Sequence, residues 1–182
     1  MKIYNNLSET NPHETAVALG YFDGLHLGHQ KVINKTVSLK SKGLYPTLLT
    51  FLQNPKSVIS NKEPLQIMSI EEKKEHLQIM GINELYFLNF LEIRNLEPEE
   101  FVQKILVEKL NAKATVCGFN YHFGRGGTAS AEDLKIISKK YGIKTYIIKP
   151  VLYKKEIISS TKIRDALIKK DFKKVNKMLG NI

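Results

Sequence analysis

The chain has 182 residues, 42% of them apolar and 25% charged, with one cysteine and a formal net charge of +10. These proportions suit a globular domain with a sizeable core. No apolar run reaches the ~18 residues of a membrane span, residues 1–6 lack the apolar stretch of a secretory signal, and Cys117 has no internal partner, so a cytoplasmic location is expected. The charge is uneven: residues 1–134 carry 14 Lys/Arg against 15 Asp/Glu, and residues 135–182 carry 14 against 3. The lysines of the last quarter are dispersed and lack the aromatic interleaving that stacks bases. A solvated basic face is expected there, with no nucleic-acid partner and no membrane.

Residues 1–15 are polar, contain Asn11-Pro12, and read as a surface lead-in. Ala16 to Gly20 is an apolar run of the length of a buried strand. Asp23-Gly24 is a turn-forming pair, and an amphipathic helix follows from about Gly28 to Lys42, closed by Gly43. Pro46–Phe51 reads as a second buried strand, ending in Leu52-Gln53-Asn54-Pro55, and residues 56–69 read as irregular. Ser69, with Glu71 and Glu72 behind it, opens a helix ending at Gly81. Leu85–Leu88 is a third strand, Glu97 to about Leu110 a helix, and Ala114–Cys117 a fourth strand that stops at Gly118. A helix over about Ala131–Tyr141 and a fifth strand, Thr145–Ile148, complete the alternation. Cys117 reads as a small core residue.

Strands alternating with helices predict a doubly wound α/β domain over residues 1–182, a mostly five-stranded parallel sheet with helices on both faces. Ligands of such folds bind beyond the carboxyl ends of the strands, where the strand order switches. The polar segments 20–29, 52–55 and 118–128 each follow a strand.

The first of them, Gly20-Tyr21-Phe22-Asp23-Gly24-Leu25-His26-Leu27-Gly28-His29, joins a strand to a helix start. Unpaired amides and the positive end of the helix dipole favour an anion there. Two imidazoles flanking a glycine could donate to a phosphate and stabilise charge developing on it. They could also hold a metal, with Asp23 as a third ligand, or simply pack and cap. A Walker loop and a GxGxxG fingerprint are both absent, which argues against P-loop and hydride-transfer chemistry. Gly118 to Gly127 interleaves glycines with Phe119, Tyr121 and Phe123, a pattern suited to a planar ring or to an unstructured loop with aromatics folded inward. Ser159-Ser160-Thr161 precedes a helix bearing Arg164. The hydroxyls read as N-caps or as phosphate ligands beside the guanidinium.

Together these segments resemble the FMN adenylyltransferase (FAD synthetase) domain of bacterial bifunctional riboflavin kinase/FMN adenylyltransferases, in the HxGH nucleotidyltransferase superfamily. That family's turn reads G-x-F-D-G-x-H-x-G-H, its second strand ends T-F-x-x-H-P, its glycine loop reads G-x-[DN]-[FY]-x-F-G, and a late helix opens S-S-T-x-I-R. All four stand here in that order, across roughly residues 16–170. The resemblance implies transfer of the adenylyl group of ATP to FMN, with magnesium accompanying the nucleotide and no resident metal. It places the ATP phosphates against Gly20, Tyr21, Phe22, Asp23, Gly24, His26, Gly28 and His29, and the leaving pyrophosphate against Ser159, Ser160, Thr161 and Arg164. It places FMN against Phe51, Asn54, Pro55, Asn120, Phe123 and Gly124, and gives His26, His29, Asn120 and Arg164 the catalytic parts. One departure is Asn54, where the family carries a histidine. The other is the riboflavin kinase module, for which these residues have no counterpart, so the resemblance implies a separate riboflavin kinase.

Overall fold

The computed structural model describes residues 1–60 and 64–180. In chain order the elements around the amino-terminal half are β1 (Lys2–Tyr4), β2 (Thr15–Leu19), α1 (Leu27–Ser38), β3 (Tyr45–Phe51), α2 (Pro55–Ser60), α3 (Ile70–Ile79), β4 (Glu84–Leu88) and α4 (Phe90–Ile93). They continue with α5 (Pro98–Glu100), which runs on as a π-helix over Phe101–Lys109, β5 (Ala112–Gly118), β6 (His122–Phe123), β7 (Ala129–Ser130), α6 (Ala131–Lys140) and β8 (Lys144–Ile148). A short hairpin, β9 (Leu152–Tyr153) with β10 (Glu156–Ile157), leads into α7 (Ser160–Ile168) and α8 (Phe172–Leu179).

The main sheet is parallel, in the order β1-β4-β3-β2-β5-β8. The chain leaves β2 toward β3 on one side and returns to β5 on the other. The switch in strand order therefore falls at the carboxyl end of β2, as expected for a doubly wound sheet. All five expected strands are present. The sixth, β1, lies in the stretch read as a surface lead-in. Three residues are too few to carry a period, and only the pairing of Lys2–Tyr4 alongside Glu84–Tyr86 makes them a strand.

Alternate residues of β2 face opposite layers. Val17 and Leu19 join Phe101, Val102, Leu106 and Leu134 on one face. Ala16 and Ala18 join Val32, Ile33 and Leu77 of α1 and α3 on the other. Each fully buried Leu, Ile, Val or Phe contributes about 1.5–3 kcal/mol, and the small alanines let α1 lie close to the sheet. Local signals fix the helix starts: Ser69 and Glu72 form a reciprocal capping box on α3, and Ser130 and Asp133 form another on α6. Two helical segments differ from expectation. Pro55 opens α2, because its missing N–H costs nothing at a first helical position, while the amides of Ser57 and Val58 bond back to the Asn54 carbonyl. Residues 61–63, inside the segment read as irregular, lie outside the described residues. Phe101–Lys109 winds as a π-helix, with the Leu110 amide reaching the Ile105 carbonyl at 2.9 Å.

A third, smaller core joins α7 to α8 through Ile158, Ile163, Ala166, Val175 and Met178, and reaches Leu27 and Ile67. Gln30 Nε2 ties the end of α8 to α1 by donating to the Leu179 carbonyl at 2.6 Å. At the opposite end of the sheet Glu84, 3% exposed, accepts from Asn11 Nδ2, from Thr47 Oγ1 at 3.2 Å and from the Tyr4 hydroxyl at 3.4 Å. Asn11→Leu leaves that buried carboxylate short of a donor and is expected to cost about 2 kcal/mol in urea unfolding; unchanged stability would show the network to be dispensable.

Candidate active site

The site is built where β2 turns into α1. Phe22 is a non-glycine residue in the left-handed region, φ +55°, with its ring buried. That conformation costs roughly 1–2 kcal/mol for a residue with a Cβ. The carbonyl just before it is held from two sides: Tyr21 O accepts from Thr50 Oγ1 of β3 at 2.8 Å and from Lys73 Nζ of α3 at 3.2 Å. Gly24 stands at φ +77°, and a Cβ there would lie 2.6 Å from Ile67 Cγ2, so only glycine fits.

His26 is the N-cap of α1, and its Nδ1 accepts from the amides of Gly28 at 3.2 Å and His29 at 3.3 Å. Spacing alone gives Gly28 to an approaching phosphate; in the structure it first makes room for the His26 ring, whose Cε1 would stand 3.0 Å from a Cβ at that position. The two imidazoles stack, with centroids 3.6 Å apart and planes at 17°, and the edge of Phe22 meets His29 at 5.2 Å. Burial lowers the His26 pKa to about 4. His29 is also driven well below the ordinary imidazole range, first by burial and then by the positive character of His26 and Lys73. Both rings are therefore neutral at pH 7. Because His26 Nδ1 accepts, its proton is on Nε2, which makes Nε2 the donor available to a ligand. His29 Nδ1 is buried without a hydrogen-bond partner.

The carboxyl end of the site comes from α7, some 140 residues away. Ser160 Oγ donates to the Asp23 carbonyl at 3.0 Å. The Arg164 guanidinium donates to the Asp23 carboxylate and to the Leu65 carbonyl, the latter at 2.7 Å. Burial pushes the Asp23 pKa up, while Arg164 and Lys73 pull it back. Ser159 caps its own helix, accepting from the Lys162 amide at 3.3 Å, and Thr161 is exposed in the first turn of α7. The N-cap reading thus holds for Ser159, whereas Ser160 and Arg164 bind the turn itself. The metal reading loses its third ligand, since Asp23 is taken by Arg164, and no group of three or more His, Cys, Asp or Glu among the described residues could hold an ion.

The residues expected on the FMN side lie on the neighbouring strand ends. Phe51 closes β3 and meets Phe90 edge-on at 5.6 Å, and Asn54 and Pro55 start α2. Across β2 the glycine loop pairs as the β6–β7 hairpin, so it is not without structure, while the inward folding of aromatics holds for Phe123 and Tyr121. Gly124, φ +74°, packs so closely on Pro98 that a Cβ would stand 2.8 Å from its ring. Asn120 is exposed at the loop. The ring of Phe123, expected against FMN, is 6% exposed and packs on Phe101 and Tyr121. The ring that the loop offers to solvent is Phe119, 41% exposed. Burial lifts the Cys117 thiol to about 12, an unreactive core residue.

Lys73 is the supporting group that motif reading passes over, while Thr50, the threonine of the T-F-x-x-H-P motif, gains its role only from its bond to Tyr21 O. The signal for Lys73 is its place on the inward stripe of α3, between Ile70 and Leu77.

A parallel α/β sheet with stacked histidines at a helix start on its switch point is the class of fold and site that the HxGH resemblance implies. A family model for FAD synthetase matches residues 8–162. A bifunctional riboflavin kinase/FMN adenylyltransferase of Buchnera aphidicola is 33% identical over 180 residues, covering 97% of this chain and 57% of that protein. One of the same description from Listeria monocytogenes is 34% identical over 169 residues, covering 90% and 53%. Among solved structures, a Streptococcus pneumoniae chain described as a macrolide-efflux protein superposes with a TM-score of 0.87 at 33% identity, over 98% of this chain and 61% of that one. Among the described residues no helix is long and apolar enough to cross a membrane. The chain belongs to the FAD synthetase family. It spans little more than half the length of these two relatives.

The histidine pair makes the fold acid-sensitive. His26 has a lower pKa folded than unfolded, so the unfolded state binds the proton more readily and stability falls as pH drops from about 6.5 toward about 4. The full loss from His26 is on the order of 3 kcal/mol. Melting curves across that window are expected to show the decline, and His26→Asn, which keeps an N-cap acceptor, is expected to make it shallower, with the part from His29 remaining.

Proposed function

We propose that the chain transfers the adenylyl group of ATP to FMN, giving FAD and pyrophosphate. The observation that carries this reading is the convergence of Ser160 and Arg164 on Asp23, which joins the late serine-rich motif to the histidine turn at one point. A phosphate chain laid from the α1 N-terminus toward α7 would meet donors along its length.

In the reaction a phosphate oxygen of FMN attacks the α-phosphorus of ATP. One P–O bond forms and the bond to the β-phosphate breaks, so the enzyme's task is alignment and charge stabilisation. His26 donates through Nε2, and His29 beside it meets the α-phosphate, where the approach of negative charge raises both imidazole pKa values. Gly20 to Gly24 face the nucleotide through their backbone, and Gly28, its amide held by His26 Nδ1, lets a phosphate come close. Ser159, Ser160, Thr161 and Arg164 receive the pyrophosphate, Arg164 turning from Asp23 to the phosphates as they arrive. Asn120 and Gly124 separate nucleotide from flavin, and Phe51, Asn54 and Pro55 line the flavin side. Phe119 replaces Phe123 as the loop's flavin-facing ring. Magnesium enters with ATP as part of the substrate, neutralising charge on its phosphates. A cytoplasmic setting and FMN supplied by a separate riboflavin kinase activity belong to the same reading.

Chromatography after incubation with Mg–ATP and FMN is the direct test. Folded protein that makes no FAD and binds neither substrate overturns the reading. His29→Ala is expected to lower turnover about 10²–10³-fold with FMN affinity nearly intact, as for loss of one charge-stabilising donor. Arg164→Ala is expected to weaken ATP binding in calorimetry; an unchanged ATP affinity would assign Arg164 to fastening α7 to the turn.

A further inference from the structure

Lys73 is a buried cation that the reaction described above does not use. It is 5% exposed, on the face of α3 that carries Ile70 and Leu77 into the core. Burying an ammonium is costly unless it is paired and hydrogen-bonded, and an unbranched apolar side chain would fill the same space at less expense. The charge must therefore be answered by its surroundings. Its Nζ donates to the Tyr21 carbonyl at 3.2 Å and lies 4.8 Å from the centroid of the Tyr21 ring. Asp23 attracts it. Tyr21 O is the same carbonyl that Thr50 holds from β3, and it immediately precedes left-handed Phe22, whose ring edge bears on His29.

We propose that Lys73 is a positioning residue for adenylyl transfer: by gripping the Tyr21 carbonyl from α3 it fixes the strained Phe22 and, through that ring, the place of His29 beside the α-phosphate. The proposal rests on the adenylyl-transfer reading. His29 is kept neutral first by burial, and the same ammonium adds to the opposition to its protonation. Burial brings the Lys73 pKa down to about 8, and its charge fades as pH rises through that value. The charged and titratable groups around it are Asp23 and the Tyr21 ring on the turn, His29 on α1, and Arg164 of α7 through Asp23.

Lys73→Met, Lys73→Arg and, as a control, Lys74→Met separate this role from packing. Lys74 is the neighbouring partly exposed lysine, paired with Glu71 at 3.8 Å. Lys73→Met is expected to lower kcat about 10²-fold, the size of an ångström-scale misplacement, with KM for FMN within about twofold and a melting temperature no lower than wild type. Lys73→Arg, whose guanidinium does not titrate below about 12, is expected to recover most of kcat and to move any alkaline limb near pH 8 upward. Lys74→Met is expected to change neither. Proton NMR of the imidazole C2–H signals provides a readout that needs no turnover: removing the positive neighbour in Lys73→Met shifts the His29 titration to higher pH. An unchanged kcat, or an unmoved His29 titration, overturns the proposal. If Lys73→Met does not fold, Lys73→Arg decides, since an alkaline limb left where wild type has it also overturns the proposal. Should wild type make no FAD, the transfer reading falls, while the imidazole titration still decides whether Lys73 and His29 are coupled.

Discussion

The structure depends on keeping a strained, largely buried turn open at the end of a parallel strand. Phe22 in the left-handed region and Gly24 against Ile67 leave little freedom. The carbonyls and carboxylate of the turn must all find donors away from bulk water, since an unmade buried hydrogen bond costs about 1–3 kcal/mol. Those donors come from three separate elements: Thr50 on β3, Lys73 on α3, and Ser160 with Arg164 on α7. The turn is consequently the point where the sheet, one covering helix and the carboxyl-terminal helical pair are joined. Thr50 and Lys73 hold the carbonyl next to Phe22, whose ring meets His29, and Ser160 and Arg164 hold Asp23.

This arrangement also sets the electrostatics. Two cations, Lys73 and Arg164, stand against one carboxylate, Asp23, and two imidazoles are held neutral by burial. Such a site is poised to take in negative charge. An arriving polyanion relieves the repulsion between the cations and restores the imidazoles toward their ordinary proton affinity. The dispersed lysines of the last quarter belong to a different surface. Lys162 and Lys174 pair with Glu156 on the β9–β10 hairpin, consistent with the solvated basic face expected from their spacing.

Relatives of this chain in the FAD synthetase family are about twice its matched length in the bifunctional cases. The part matched here contains a complete sheet, its two covering layers and the α7–α8 pair. Every element named as a support of the turn lies within it.

Much of the fold was legible in the sequence because its signals are local. Apolar runs at Ala16–Gly20 and Pro46–Phe51 mark strands buried on both faces, Ser69 with Glu72 writes a helix start three residues at a time, and Gly43 ends one. The histidine turn was equally legible, since Gly20 to His29 is contiguous. Tertiary structure decided what depends on distant pairing. Lys2–Tyr4 is a strand only beside β4, Phe123 is a core ring only because Phe101 lies against it, and Asn11 is buried only because Glu84 needs a donor. Lys73 could be seen on an inward stripe but not given a partner, and Arg164 could be seen near a helix start but not joined to Asp23. Periodicity reports which way a side chain faces. What it touches there depends on residues brought next to it by the fold, and no local pattern encodes them.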